Sequence, residues 1–174
     1  MGRDKALLPF GDGTLLDQVA RVVLEAVGSV ELIGDPAKYG RLGYRVYVDK
    51  VAGCGPLGGL YTALSVTRTD WNLVVACDMP AITASDLRVL LRVAAESSSE
   101  CVAAAGAEGQ PEPLCAVYHR RCLPAVVLAL RDKRLKMQDL IREFDLRTVP
   151  LPDSALANAN TPAEWAGLEE TLKN

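Results

Sequence analysis

The sequence predicts an α/β fold, a three-layer α/β/α sandwich built on a mostly parallel, Rossmann-like sheet. Three observations carry that expectation. Apolar strand-like runs alternate with helical patterns along the chain, the signature of βαβ units. Two helices are announced by Thr-x-x-Asp pairs, Thr14 with Asp17 and Thr83 with Asp86, each followed by apolar residues at three- and four-residue spacing. Finally, "WNLVVACD" is a continuous apolar run, the kind that a parallel sheet buries on both faces. Right-handed crossovers then place helices on both sides of the sheet.

The elements follow in order. "MGRDKALLPFGDG" opens the chain with a glycine beside the close cations Arg3 and Lys5. That composition suits a phosphate-binding loop, which ordinarily follows a first strand and opens a helix. "TLLDQVARVVLEAVG" reads as a helix stopped at Gly28. "SVELIG" and "YRVYVD" read as short strands. "GCGPLGGLYTALSV" is a Gly-rich loop running into a helix that begins near Pro56 or Leu57, where an early proline is favourable. The strand "WNLVVACD" and the helix "ITASDLRVLLRVAAE" come next. "CVAAAG" and "LCAVYH" are strands either side of the loop "AEGQPEP". Helices are expected near 122–131 and 135–144, then a strand "LRTVPL" and a last helix after Pro162. With no internal repeat, 1–174 reads as a single domain large enough for one core.

Composition narrows the function. A chain with 49% hydrophobic and 24% charged residues is globular rather than disordered. Its net charge of −3 gives no reason to expect nucleic acid or an anionic membrane as partner. An anionic ligand must therefore be held by local cations, backbone N–H groups or a metal. No apolar run approaches the roughly 18 residues of a membrane span, and the N-terminus has no signal-peptide core. Five cysteines, an odd number with no C-x-x-C pair, predict reduced thiols and a cytoplasmic location.

In open α/β sheets ligands lie at the carboxyl ends of the strands. Asp49, Asp78 and Glu112 occupy such positions. A carboxylate that ends an apolar strand is costly unless it meets a cation. Mg²⁺ is held by one or two carboxylates plus phosphate oxygens and water, so Asp78 is a candidate metal ligand. A turn aspartate bonding its own backbone is the plainer alternative. Gly53, Gly55, Gly58 and Gly59 permit close backbone approach to a ligand, or simply a tight turn. Lys5 can neutralise charge on a transferring phosphoryl group, or be solvated. His119, closing a strand, is expected to have no catalytic role, and no G-x-S-x-G hydrolase signal is present. The basic stretch "RDKRLK" is a solvated junction that would meet a second anionic substrate if it adjoins the cleft.

Together these segments resemble one family. "MGRDKALLPF" is similar to the end of the L-A-G-G-x-S-x-R-M-G-x-D-K nucleotide signature of MobA-like nucleotidyltransferases. "GCGPLGGL", "VVACDMP", "PEPLCAVY" and "NANTPAEW" resemble its later motifs, in the same order. The resemblance implies transfer of GMP from GTP to molybdopterin (the molybdenum cofactor), with Mg²⁺, release of pyrophosphate and other cofactor-biosynthesis proteins as partners. By the same resemblance Lys5 and Asp78 are catalytic, with Arg3 and Lys5 on the nucleotide phosphates. Asp49, Gly55 and Gly58 belong to the nucleotide pocket, and Asp78 holds Mg²⁺ against the triphosphate. Asn158 and Asn160 line the cleft towards the acceptor.

The correspondence begins at the family's Met-Gly. The expectation is therefore a domain lacking the family's first strand and the first half of its Gly-rich loop, with two strand edges left open. Ile33 stands where some members carry a base-contacting Asn, so guanine preference follows from the overall resemblance. Three alternatives stay open: a cytidylyltransferase making the cytosine form of the cofactor, a non-catalytic nucleotide-binding homologue, and a sugar-nucleotide pyrophosphorylase.

Overall fold

Two capping boxes anchor the helices in the places their sequences announce. The computed structural model describes residues 4–158, so the helix expected after Pro162 lies outside the described residues. In the first box Thr14 Oγ1 accepts from the Asp17 N–H at 3.2 Å, and Asp17 Oδ2 accepts from the Thr14 N–H at 2.9 Å. Helix α1 (Leu15–Val27) starts there and ends at Gly28, whose φ of 76° only glycine adopts cheaply. Thr83 and Asp86 repeat the device for α4 (Ala84–Ala95). Each box satisfies N–H groups that the first helical turn leaves without intrahelical partners.

Between Leu8 and α1 the chain forms a two-residue hairpin absent from the sequence reading, β1 (Pro9–Phe10) and β2 (Gly13–Thr14). Strands β3 (Glu31–Ile33) and β4 (Arg45–Tyr47) pair in parallel, with α2 (Pro36–Tyr39) between them. Helix α3 (Gly55–Val66) follows the Gly-rich loop. Then β5 (Trp71–Val75), β6 (Cys101–Ala105), β7 (Pro111–His119) and β8 (Leu146–Pro150) form a second sheet in the order β5-β7-β6-β8. Helices α5 (Leu123–Arg131), α6 (Met137–Ile141) and α7 (Asp153–Leu156) complete the described chain. No helix among the described residues is long and apolar enough to cross a membrane.

The period-2 rule shows how the layers close. On one face of the larger sheet Cys101, Ala103, Ala116 and Tyr118 pack against α3, α5 and α6. On the other, Val102, Ala104, Cys115 and Val117 pack against α4, with Val22 and Val23 of α1 alongside. Helices on both faces make the three layers expected from the sequence. Three of the four strands run in one direction; β7 opposes them because the 106–110 loop turns the chain straight back.

Strand β5 departs from expectation. Its apolar run pointed to a strand buried on both faces inside a parallel sheet, yet it is an edge strand, antiparallel to β7 and half-exposed along its length. An apolar run reports burial of side chains, not the number of paired neighbours. Among the described residues no ladder joins β5 to β3, and the β3–β4 pair stands as a separate sheet. Helix α3 packs against both strands, and a small cluster of Ala6, Leu16 and Leu32 reaches Cys77 just beyond β5.

A wide bulge marks β7. Ala103 faces Ala116 but Ala104 faces Glu112, so Pro113, Leu114 and Cys115 are displaced from β6. They turn to β5 instead, where Cys115 faces Val75 and the Ala76 N–H donates to Leu114 O at 2.7 Å. The hydroxyl of the fully buried Tyr118 donates to Pro113 O at 2.8 Å and holds the displaced backbone.

Candidate active site

The opening segment is fixed by its own carboxylate. Asp4 Oδ1 accepts from the Ala6 N–H at 3.2 Å and caps a 3-10 turn over Lys5–Leu7, leaving Lys5 exposed. Asp4 Oδ2 accepts from Tyr39 Oη at 3.0 Å and from Lys38 Nζ at 3.3 Å, which ties the segment to α2 beyond β3. Burial, followed by that hydrogen bond to Asp4, pushes the Tyr39 phenol up to about 12.

Cys77, one residue past Ala76 at the end of β5, reports on what surrounds it. Burial raises its thiol first and the charge of Asp78 next, to about 11; Asp4 adds to the rise and Lys5 opposes it. Ala6 and Cys77 pack in one apolar cluster, which brings together the segments that carry Lys5 and Asp78, 73 positions apart in "MGRDK" and "CDMP". Asp78 is half-buried just beyond β5.

Asp49 follows β4 and meets α3. Its Oδ1 accepts from the Val51 N–H and lies within hydrogen-bond distance of Thr62 Oγ1, both at 3.1 Å. Thr62 has one proton to share between Asp49 and Gly58 O, and itself accepts from the Lys50 N–H at 2.9 Å. This staples the Gly-rich loop to the helix. Gly58 makes it possible: a Cβ there would lie 2.8 Å from Val51 O and 3.0 Å from Asp49 Oδ2. Gly55 opens the helix with φ of 56°. Asp49 thus has one carboxylate oxygen committed to the loop.

Two adjoining cavities of about 340 Å³ each lie along the carboxyl ends, one nearer the start of α3 and one farther from it. Glu112 and Gln138 line both; Pro56, at the start of α3, reaches the nearer one and Asp153 the farther. Asp153 Oδ1 accepts from the Ala107 N–H at 2.8 Å, and a Cβ on Gly106 would sit 2.4 Å from that oxygen. Of the basic stretch, Lys136 lines the nearer cavity, while Arg131 pairs with Asp132 and Arg134 with Glu143.

Asn158 is exposed two residues beyond α7, whose Leu156 lines the farther cavity. Arg3 and Asn160 lie outside the described residues. His119 sits at the opposite end of β7 from Glu112, its Nδ1 accepting from the Arg121 N–H and its ring edge-on to Trp71 at 4.8 Å. Sequence reasoning missed Gln138 and Asp153. Both read locally as polar surface residues of short helices, and nothing in their spacing links them to Glu112.

A family described as the MobA-like NTP transferase domain matches residues 1–149. A relative from Deinococcus radiodurans, named a probable molybdenum cofactor guanylyltransferase, is 36% identical over 99% of this chain and 91% of its own. Among solved structures, molybdopterin-guanine dinucleotide biosynthesis protein A from Archaeoglobus fulgidus superposes with a TM-score of 0.80 at 19% identity, over 99% of this chain and 92% of that one. Rv0371c from Mycobacterium tuberculosis, in complex with manganese, gives 0.72 at 22% identity over 97% and 93%. With its ordered motifs carried on this sheet and cleft, the chain belongs to the MobA-like NTP transferase domain family.

Proposed function

We propose that this nucleotidyltransferase transfers GMP from GTP to molybdopterin, as a single domain. The observation that carries the reading is the packing of Ala6 with Cys77, which sets the Lys5 and Asp78 segments side by side near the end of β5. The name of the Deinococcus relative supports the choice of substrates. In the reaction a terminal phosphate oxygen of the acceptor attacks the α-phosphorus of GTP in line. The bond to the β-phosphate oxygen breaks, and pyrophosphate leaves. Such chemistry rests on positioning and charge neutralisation, with little covalent help from protein. That agrees with a cleft whose described residues supply no nucleophile–base pair.

Asp78 fits a divalent cation. Mg²⁺ takes one or two carboxylates and completes its shell with substrate phosphates and water. When bound, the ion would offset charge on the triphosphate. Lys5 supplies a second positive charge from the opposite segment. Asp49 and Gly58 keep the loop before α3 close to the helix, shaping the nucleotide side. Arg3, Asn158 and Asn160 are assigned to the phosphate and acceptor sides by the same reading.

The test is pyrophosphate release from GTP or CTP with Mg²⁺ and molybdopterin. Release with GTP and little with CTP is expected. CTP turnover without GTP turnover would replace the guanylyl reading with the cytidylyl one, and binding of GTP with no release would point to a non-catalytic homologue.

A further inference from the structure

The bulge of β7 presents Glu112 in a way the nucleotide chemistry does not use. Two side-chain donors hold the backbone on either side of it. Tyr118 Oη donates to Pro113 O at 2.8 Å, and Gln138 Nε2 donates to Pro111 O at 2.9 Å. Because only the amide nitrogen can donate to Pro111 O, the other end of the Gln138 carboxamide is fixed as Oε1. That oxygen is buried and has no hydrogen-bond partner among the described residues. A buried acceptor left without a hydrogen bond is costly, so its orientation needs a reason. Glu112 Oε1 accepts from the Leu114 N–H at 3.0 Å, which fixes the carboxylate and leaves its second oxygen for a ligand.

The farther cavity is lined by Glu108, Glu112, Asp153 and two glutamines, with no cation. It repels phosphate and suits a ring edge rich in N–H donors. The nearer cavity carries Lys136.

We propose that Glu112 and the carboxamide oxygen of Gln138 recognise the 2-amino-4-oxopyrimidine edge of the acceptor's pterin, with Lys136 beside the acceptor's phosphate arm. The proposal rests on the reading of molybdopterin as acceptor and names residues that select it. A carboxylate and an amide oxygen match the adjacent ring N–H and exocyclic NH₂ of that edge. Guanine carries the same edge, so the nucleobase of GTP is the rival source of this chemistry.

The test is direct binding to the full chain, without turnover. 6-Hydroxymethylpterin and lumazine, which has oxygen in place of the 2-amino group, are titrated by pteridine fluorescence, with guanosine as competitor. Pterin is expected to bind at least about ten-fold more tightly than lumazine, the scale of one lost hydrogen-bonded pair. Glu112→Gln and Gln138→Met are each expected to lower pterin affinity about ten-fold while Mg²⁺-GTP affinity stays unchanged. Equal affinity for pterin and lumazine, no pterin binding, or pterin binding indifferent to both substitutions would overturn the proposal. Guanosine displacing pterin, with GTP affinity falling in the same variants, would reassign the pocket to the nucleobase and overturn it too. Selective pterin binding without pyrophosphate release would leave this pocket assigned and remove the proposed reaction.

Discussion

Asp78 and Lys5 are opposite in charge, and in the proposed site each acts through its charge. Asp78→Asn preserves shape and removes the charge. It is expected to abolish metal-dependent turnover while circular dichroism and Tm stay as in the parent chain; parental rates would take Asp78 out of the site. Lys5→Ala is expected to cut kcat/KM for the nucleotide about a hundred-fold, the usual scale for one electrostatic contact to a developing phosphoryl charge. Unchanged kinetics would leave Lys5 a solvated surface charge. Tyr118 acts at a distance from chemistry. Tyr118→Phe strands the buried Pro113 carbonyl and is expected to cost about 1–3 kcal/mol by urea unfolding, and to weaken pterin binding together with stability.

At the scale of elements, glycine decides whether the loop before α3 can close. Gly58→Ala would place its Cβ 2.8 Å from a backbone oxygen, Val51 O, which cannot swing aside as a side-chain tip can. Destabilisation of about 1–3 kcal/mol with loss of nucleotide affinity is expected, measured by denaturation and GTP titration. The sequence revealed elements whose cause is local. Thr14–Asp17 and Thr83–Asp86 bond within three residues, and Gly28 ends its helix by its own φ, so each was readable from a few letters. Asp78 was legible for a similar reason, since a carboxylate closing an apolar strand is conspicuous wherever it occurs. The bulge at Pro113–Cys115 was not, because it is defined by what β5 and β6 offer across the sheet. Gln138 was invisible for the same cause: its meaning comes from Pro111, 27 positions away.

The whole molecule carries an alkaline liability. Desolvation raises the thiols of Cys77, Cys115 and Cys122 from 9.0 to about 11, 12 and 12, and Cys101 rises as well. In the unfolded chain these groups ionise near 9, while the folded chain keeps their protons. Above pH 9 the unfolded state therefore binds fewer protons, so stability present below that pH falls as pH climbs through 11–12. The urea midpoint is expected to drop between about pH 8 and about pH 10; a flat midpoint would mean that the thiols ionise equally in both states. The separation of the β3–β4 pair from the larger sheet has a different outcome, one of mechanical contrast. Strand β6 is laddered on both sides and almost inaccessible to water, whereas among the described residues β3 is laddered on one side only. Amide hydrogens of β3 and β4 should exchange with deuterium well before those of β6 and β7, as separate cooperative units would. The acceptor would then meet a stiff wall built on β6 and β7 and the nucleotide a compliant one, so that most of the tightening on substrate binding falls to the nucleotide side.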